Sequence, residues 1–270
     1  MVALRIFSYL PNPRIWKATI AARLCGVEVE VRGASPSELS KWLWDYNARP
    51  IAEVPPDVLA AAKRTGRIGF TDRTLYKTAA FLETHPFATV PAAFSPDGRT
   101  GIFESNSIMR AVARLGQERF PIYGRSAYES SRIDGFLDAS LVFARDAQIY
   151  LLARRDGAVS GELYARVKDS FVSYLSGIEQ ALAPQRSFLV GDNITLADIC
   201  FVAELCLFHN ERARRSTLDA GGLPLLLADD FAATYPRSAN HFWRLLSHPA
   251  FAPDVAGYLE KIESSRTRSE

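Results

Sequence analysis

The apolar residues of this 270-residue chain change their period near Gln117–Ser126, and few features restrict its fold more than that change. Before it, short β-rich runs alternate with stretches of helical spacing. After it, apolar residues recur every three or four positions. They run through Ile133, Phe136, Leu137, Val142 and Phe143, then Leu163, Val167, Phe171, Tyr174, Ile178 and Leu182, the pattern of helices that each bury one face. The expected fold class is therefore an α/β N-terminal half, residues 1–117, followed by an all-α C-terminal half, residues 126–265.

Within the first half, Ala3 to Phe7 reads as a strand, Arg14 to Leu24 as a helix closed by Gly26, and Val27 to Val31 as a second strand. Strand, helix and strand at this spacing predict a parallel pair. Thr89 to Phe94, the Pro96-Asp97-Gly98 turn and Gly101 to Phe103 predict a hairpin, and a helix follows from near Ser105 through Ile108, Val112 and Leu115. The connection Arg32–Tyr76 is long for a compact domain. Ser35–Tyr46 and Pro56–Lys63 are expected to form inserted short helices, at about residues 35–66.

Charge narrows the partners. Lys and Arg total 32 against 30 for Asp and Glu, a formal +2, and like charges form no block, so neither a nucleic-acid footprint nor an acidic tail is expected. The chain carries no apolar stretch of about 18 residues, so no membrane span is expected. The N-terminus MVALRIFSYLP lacks a basic leader and a small-residue cleavage site, and reads as a first strand instead of a signal peptide. Cys25, Cys200 and Cys206 form no CxxC pair, which fits buried free thiols in a reducing, cytoplasmic compartment. Small molecules or protein are the expected partners, and no metal site is expected.

Three segments together resemble the glutathione transferase family. The first is Thr89-Val90-Pro91 with Glu104-Ser105-Asn106-Ser107-Ile108 after it. The resemblance implies a cis Pro91, a Val90 main chain that pairs with the cysteinyl part of glutathione, a Ser105 that binds the γ-glutamyl carboxylate at a helix start, and a Glu104 that takes the amine. The second is Phe188 to Asp198, which resembles the family's capping box, Thr195 with Asp198, before a central helix. The third is similar to one branch, the glutathione-transferase-like domain of the elongation factor 1B gamma subunit. It comprises Asn12 to Ala18 with Ile20-Ala21-Ala22, Gly69-Phe70-Thr71-Asp72, Arg186 to Gly191, and Tyr235-Pro236 to Trp243.

The resemblance implies a thioredoxin-like glutathione-binding domain, a helical substrate-binding domain, glutathione as co-substrate and a homodimer. Its chemistry is attack of the glutathione thiolate on an electrophilic carbon of a hydrophobic, aromatic substrate, with cleavage of a lignin-type β-aryl ether as one candidate reaction. A thiol with its ordinary pKa of ~8.5 is mostly protonated at neutral pH, so the protein must stabilise the thiolate. Asn12 falls at the family's serine position and is the candidate donor, with Ser8 and Tyr9 as substitutes; the competing reading is that Asn12 only caps its helix. The family's usual Gly-Lys before Val-Pro is Ala88-Thr89 here, and Lys77 is the candidate that compensates on glutathione's carboxylates. Tyr9, Phe143 and Tyr150 are the candidate walls of the electrophile pocket, and the Trp-bearing insertion is a candidate wall for a bulky one. Because the chain ends at Glu270, soon after the last expected helices, a stand-alone enzyme is expected. The alternative is a non-catalytic interaction module of the elongation-factor type.

Overall fold

The computed structural model describes residues 2–66, 70–71, 73–157, 159–183, 186–214, 218 and 222–267; Gly69 and Asp72 of the Gly-Phe-Thr-Asp segment lie outside them. The chain divides into two units, Met1–Phe120 and Pro121–Glu270.

The first unit is built on a four-stranded mixed sheet. Strand β1 (Leu4–Tyr9) leads into helix α1 (Pro13–Cys25), which ends at Gly26 in the left-handed conformation (φ 64°) that glycine adopts without steric cost. Strand β2 (Val29–Ala34) then returns parallel to β1, with Leu4 opposite Val29. The predicted hairpin, residues 92–94 and 101–103, completes the sheet on the other side of β1. Helix residues Ile15, Ile20 and Ala21 are buried, as are Leu4 and Ile6 on one face of β1.

The insertion departs from the expected pair of helices. Leu39–Lys41 and Ile51–Glu53 are single 3₁₀ turns. Strands β3 (Trp42–Trp44), β4 (Arg49–Pro50), β5 (Lys63–Thr65) and β6 (Thr74–Lys77) form a second four-stranded sheet in the order β4-β3-β6-β5. Only Pro56–Ala62, α2, is helical. The reason is tertiary: Trp-Leu-Trp pairs with a distant segment, Leu43 with Tyr76 and Trp44 with Lys77, and Trp44 packs against Phe7, Phe70 and Phe81 at ring distances of 5.6, 5.6 and 6.0 Å. Large aromatic residues gain more from that burial than helix propensity offers. Trp44 is thus core, while Trp42 is half-buried.

After α3 (Ala79–Thr84) come β7 (Ala92–Phe94), β8 (Gly101–Phe103) and α4 (Ser105–Leu115), which packs against α1.

The second unit is helical. Its long elements are α5 (Ala127–Arg155), α6 (Gly161–Ala181), α7 (Leu196–Phe208), α9 (Pro236–Leu246) and α10 (Ala252–Thr267), with the short α8 (Phe231–Thr234) between. Nearly every residue of α7 is buried, and a capping box between Thr195 and Asp198 starts it. Among the described residues no helix is long and apolar enough to cross a membrane.

Just beyond α7, His209 stacks on Phe242 (5.4 Å) and one ring nitrogen, Nδ1, donates to the Leu205 carbonyl at 2.8 Å. Burial holds its pKa down at about 4, partly opposed by that hydrogen bond. The unfolded chain binds the proton near pH 6.5 and the folded one does not, so stability is present above that pH and is lost as pH falls toward 4. Between pH 7 and pH 5 the loss from this residue is about 2 kcal/mol. Urea midpoints of wild type and His209→Gln at the two pH values measure it, and the variant should show the shallower decline.

Candidate functional site

The register of the β7–β8 hairpin is the starting point. Ala92 pairs with Phe103 at the end of an antiparallel ladder, so Pro91, just before Ala92, and Glu104, just after Phe103, leave the hairpin at the same end. The Val90–Pro91 peptide is cis. At that same end, Glu104 has φ 66° and ψ 125°, a conformation that costs a non-glycine residue roughly 1 to 3 kcal/mol. Glu104 is the N-cap of α4, its carbonyl accepts from the Ile108 N–H at 2.9 Å, and its side chain is exposed. Ser105 occupies the first helical position, where backbone N–H groups and the helix dipole attract anions. An extended main chain, a carboxylate and the positive end of a helix therefore meet at one end of a hairpin.

A residue with no role assigned from the sequence, Lys17, belongs to this cluster. Lys17 of α1 is 1% exposed, and its ammonium donates to Asn106 Oδ1 at 2.7 Å and to Ser105 Oγ at 3.4 Å. The available signal was its position among buried Ile15, Trp16, Ala18 and Ala21, since lysine is almost never fully buried unless paired.

Lys77 is buried as well. Its ammonium lies 4.4 Å from the centre of the Trp44 ring and donates to the Ala88 carbonyl at 2.6 Å. Ala88 has φ 53°, so Lys77 braces the turn that precedes Val90. His85, in the same turn, is fully buried and stacks on Phe81 at 5.5 Å. Burial holds its pKa below the usual imidazole value.

Asn12 departs from the role of thiol donor. Its Oδ1 accepts from the Arg14 N–H at 3.0 Å, its amide donates to Ser8 Oγ at 3.1 Å, and it is 1% exposed. It is the N-cap of α1, which satisfies an orphan helix N–H. Ser8 is 0% exposed, so neither side chain has surface to offer a sulfur. Of the three candidates, Tyr9 alone is half-buried, at the end of β1 where it packs against the core cluster that holds Phe7 and Trp44.

The two helical candidates are core residues instead of pocket walls. Phe143 stacks on Tyr174 at 5.1 Å and contacts Phe171 and Phe208. The Tyr150 hydroxyl donates to Glu211 Oε1 at 2.7 Å, and the same carboxylate accepts the Leu226 and Leu227 N–H groups. Both side chains are fully buried. Helical spacing identifies a buried aromatic face, but a core and a pocket share that spacing.

Residues 141–226 match the family described as "Glutathione S-transferase, C-terminal domain". The chain is 26% identical over 266 residues to "Probable elongation factor 1-gamma 1" of Arabidopsis thaliana, covering 97% of this chain and 51% of that protein. It is 27% identical over 130 residues to "Glutathione S-transferase F9" of the same plant, covering 46% of this chain and 60% of that one. Among solved structures, the glutathione transferase URE2P8 of Phanerochaete chrysosporium, determined with oxidized glutathione, matches with a TM-score of 0.64 over 98% of each chain at 15% identity. The chain spans about half the length of the elongation factor relative.

Proposed function

We propose that this chain, which has the glutathione transferase fold and matches the family's C-terminal domain over residues 141–226, binds glutathione on its N-terminal unit and presents the thiolate to a hydrophobic electrophile. The observation that carries the reading is the hairpin end, where the cis Val90–Pro91 peptide leads into Ala92 and its partner Phe103 leads into Glu104–Ser105. Val90 supplies main-chain pairing to the cysteinyl residue, Ser105 and the α4 N-terminus take the γ-glutamyl carboxylate, and Glu104 takes the amine. Lys77 acts on this site through the Ala88 turn. Tyr9 is the side chain proposed to donate to sulfur, because Ser8 and Asn12 are enclosed. Cleavage of a lignin-type β-aryl ether stays one candidate reaction; of the two Trp residues in the insertion that suggested a wall for a bulky substrate, Trp44 is core and Trp42 is half-buried.

Calorimetric titration with glutathione tests the site, and ultraviolet absorption of the bound thiolate against pH tests the chemistry. Binding with a thiol pKa below the free value of ~8.5 supports an enzyme. A second reading, a non-catalytic module like the elongation factor relatives, is favoured by the burial of Asn12 and Ser8. Binding with an unshifted thiol pKa selects it, and absence of binding overturns the glutathione site.

A homodimer through α5 is part of the proposal. Tyr128, Val142 and Ile149, at heptad spacing along that helix, are exposed apolar residues. Light scattering should give twice the 29.9 kDa of one chain, and a monomer mass at micromolar concentration would contradict it.

A further inference from the structure

We infer that Trp42, a residue of the insertion, is a specificity-determining residue that selects planar aromatic groups carried on the glutathione sulfur; the inference rests on the glutathione reading above. Trp42 opens β3, and the alternation of a strand sets Trp42 and Trp44 on one face and Leu43 on the other. Both indoles meet Phe7 of β1, with ring centres 6.1 and 5.6 Å away. Leu43 joins Val54 and Ala62 in a separate cluster. The two tryptophans differ in cover. Phe70 and Phe81 close over Trp44, which is 1% exposed, whereas Trp42, at the start of the strand, is left half-buried.

Phe7 ties the half-buried indole to the glutathione site. It pairs with Ala92 across the antiparallel β1–β7 ladder. Onward from Phe7 the chain reaches Tyr9, and backward from Ala92 it reaches cis Pro91 and Val90, so Tyr9 and Val90 lie at the same end of the sheet. Tyr9, two residues beyond Phe7, projects from the same face of β1. Tyr9, Val90 and Trp42 are all half-buried, and all pack against the core cluster that holds Phe7 and Trp44. A sulfur held at Val90 and Tyr9 therefore has a partly open indole on the margin of the same cluster. An indole face is flat and electron-rich, a surface on which an electron-poor ring stacks and from which a methyl group gains little.

Calorimetric titration of S-(2,4-dinitrophenyl)glutathione and S-methylglutathione into wild type, Trp42→Leu and Trp42→Phe tests the inference. Wild type should bind the aryl conjugate about 10-fold more tightly than the methyl conjugate, the scale of one aromatic pair with its buried area. Trp42→Leu should bring the two within about twofold by weakening the aryl conjugate alone. Trp42→Phe, which keeps a ring against Phe7, should lose part of the preference, and it serves if Trp42→Leu fails to fold. The chain has four tryptophans, and the indole N–H signal that Trp42→Phe removes from the proton–nitrogen spectrum should be shifted in wild type by the aryl conjugate and left in place by the methyl conjugate. A preference that survives Trp42→Leu, an indole signal that the aryl conjugate does not move, or a wild type that binds both conjugates equally would overturn the inference. Parallel weakening of both conjugates in the variants would show a tryptophan that only supports the fold, and would overturn it too. No binding of glutathione by wild type would instead remove the underlying site.

Discussion

Alanine at Glu104 or at Ser105 should weaken glutathione binding by about 10- to 100-fold, the loss of one charge-assisted hydrogen bond of about 1.5 to 3 kcal/mol. Neither side chain is buried, so thermal unfolding of both variants should stay close to wild type. Glu104 offers a sharper experiment because of its backbone. At φ 66° a glutamate is strained and a glycine is not. Glu104→Gly should therefore fold with roughly 1 kcal/mol more stability, less whatever flexibility the unfolded chain gains, and still bind glutathione as poorly as Glu104→Ala. Stability and affinity moving in opposite directions would mark a residue whose conformation is kept for its side chain. Unchanged calorimetric affinity in both Glu104→Ala and Ser105→Ala would remove the site.

The largest expected loss of stability belongs to Asp198→Ala. Asp198 is 0% exposed, and its carboxylate accepts from the Leu189 N–H at 3.0 Å, the Thr195 N–H and hydroxyl at 2.8 Å each, and His241 Nε2 at 2.9 Å. Alanine would leave all of these donors buried without an acceptor, at about 1 to 3 kcal/mol for each unsatisfied group. Partial rearrangement makes the sum less than additive, so an overall loss of about 4 kcal/mol is expected. Asp198→Asn keeps the shape but turns one acceptor into a donor, and it should recover only part of the loss. Urea unfolding followed by far-ultraviolet circular dichroism of the helical unit measures both, and a midpoint near wild type for Asp198→Ala would show that His241 and Thr195 find other partners.

Local patterns decided much of this protein in advance. The Gly26 stop, the Thr195–Asp198 capping box, the hairpin turn and the three-or-four-residue apolar stripes each rest on residues a few positions apart, and the physics that sets them is equally local. The order of elements outside the insertion was legible for that reason. The second sheet was not, because the Trp42–Trp44 strand pairs on one side with Arg49–Pro50 and on the other with the distant Tyr76–Lys77, and pairing across that second separation leaves no mark in either segment alone. Burial was equally out of reach. Asn12 reads the same whether its amide faces a thiol or Ser8, and Phe143 and Tyr150 read the same in a pocket wall or a core. Outside the insertion, sequence determined which segments are strands and helices and where they stop. Only the tertiary structure decided which polar groups are enclosed, since enclosure depends on neighbours that the chain brings together from far apart.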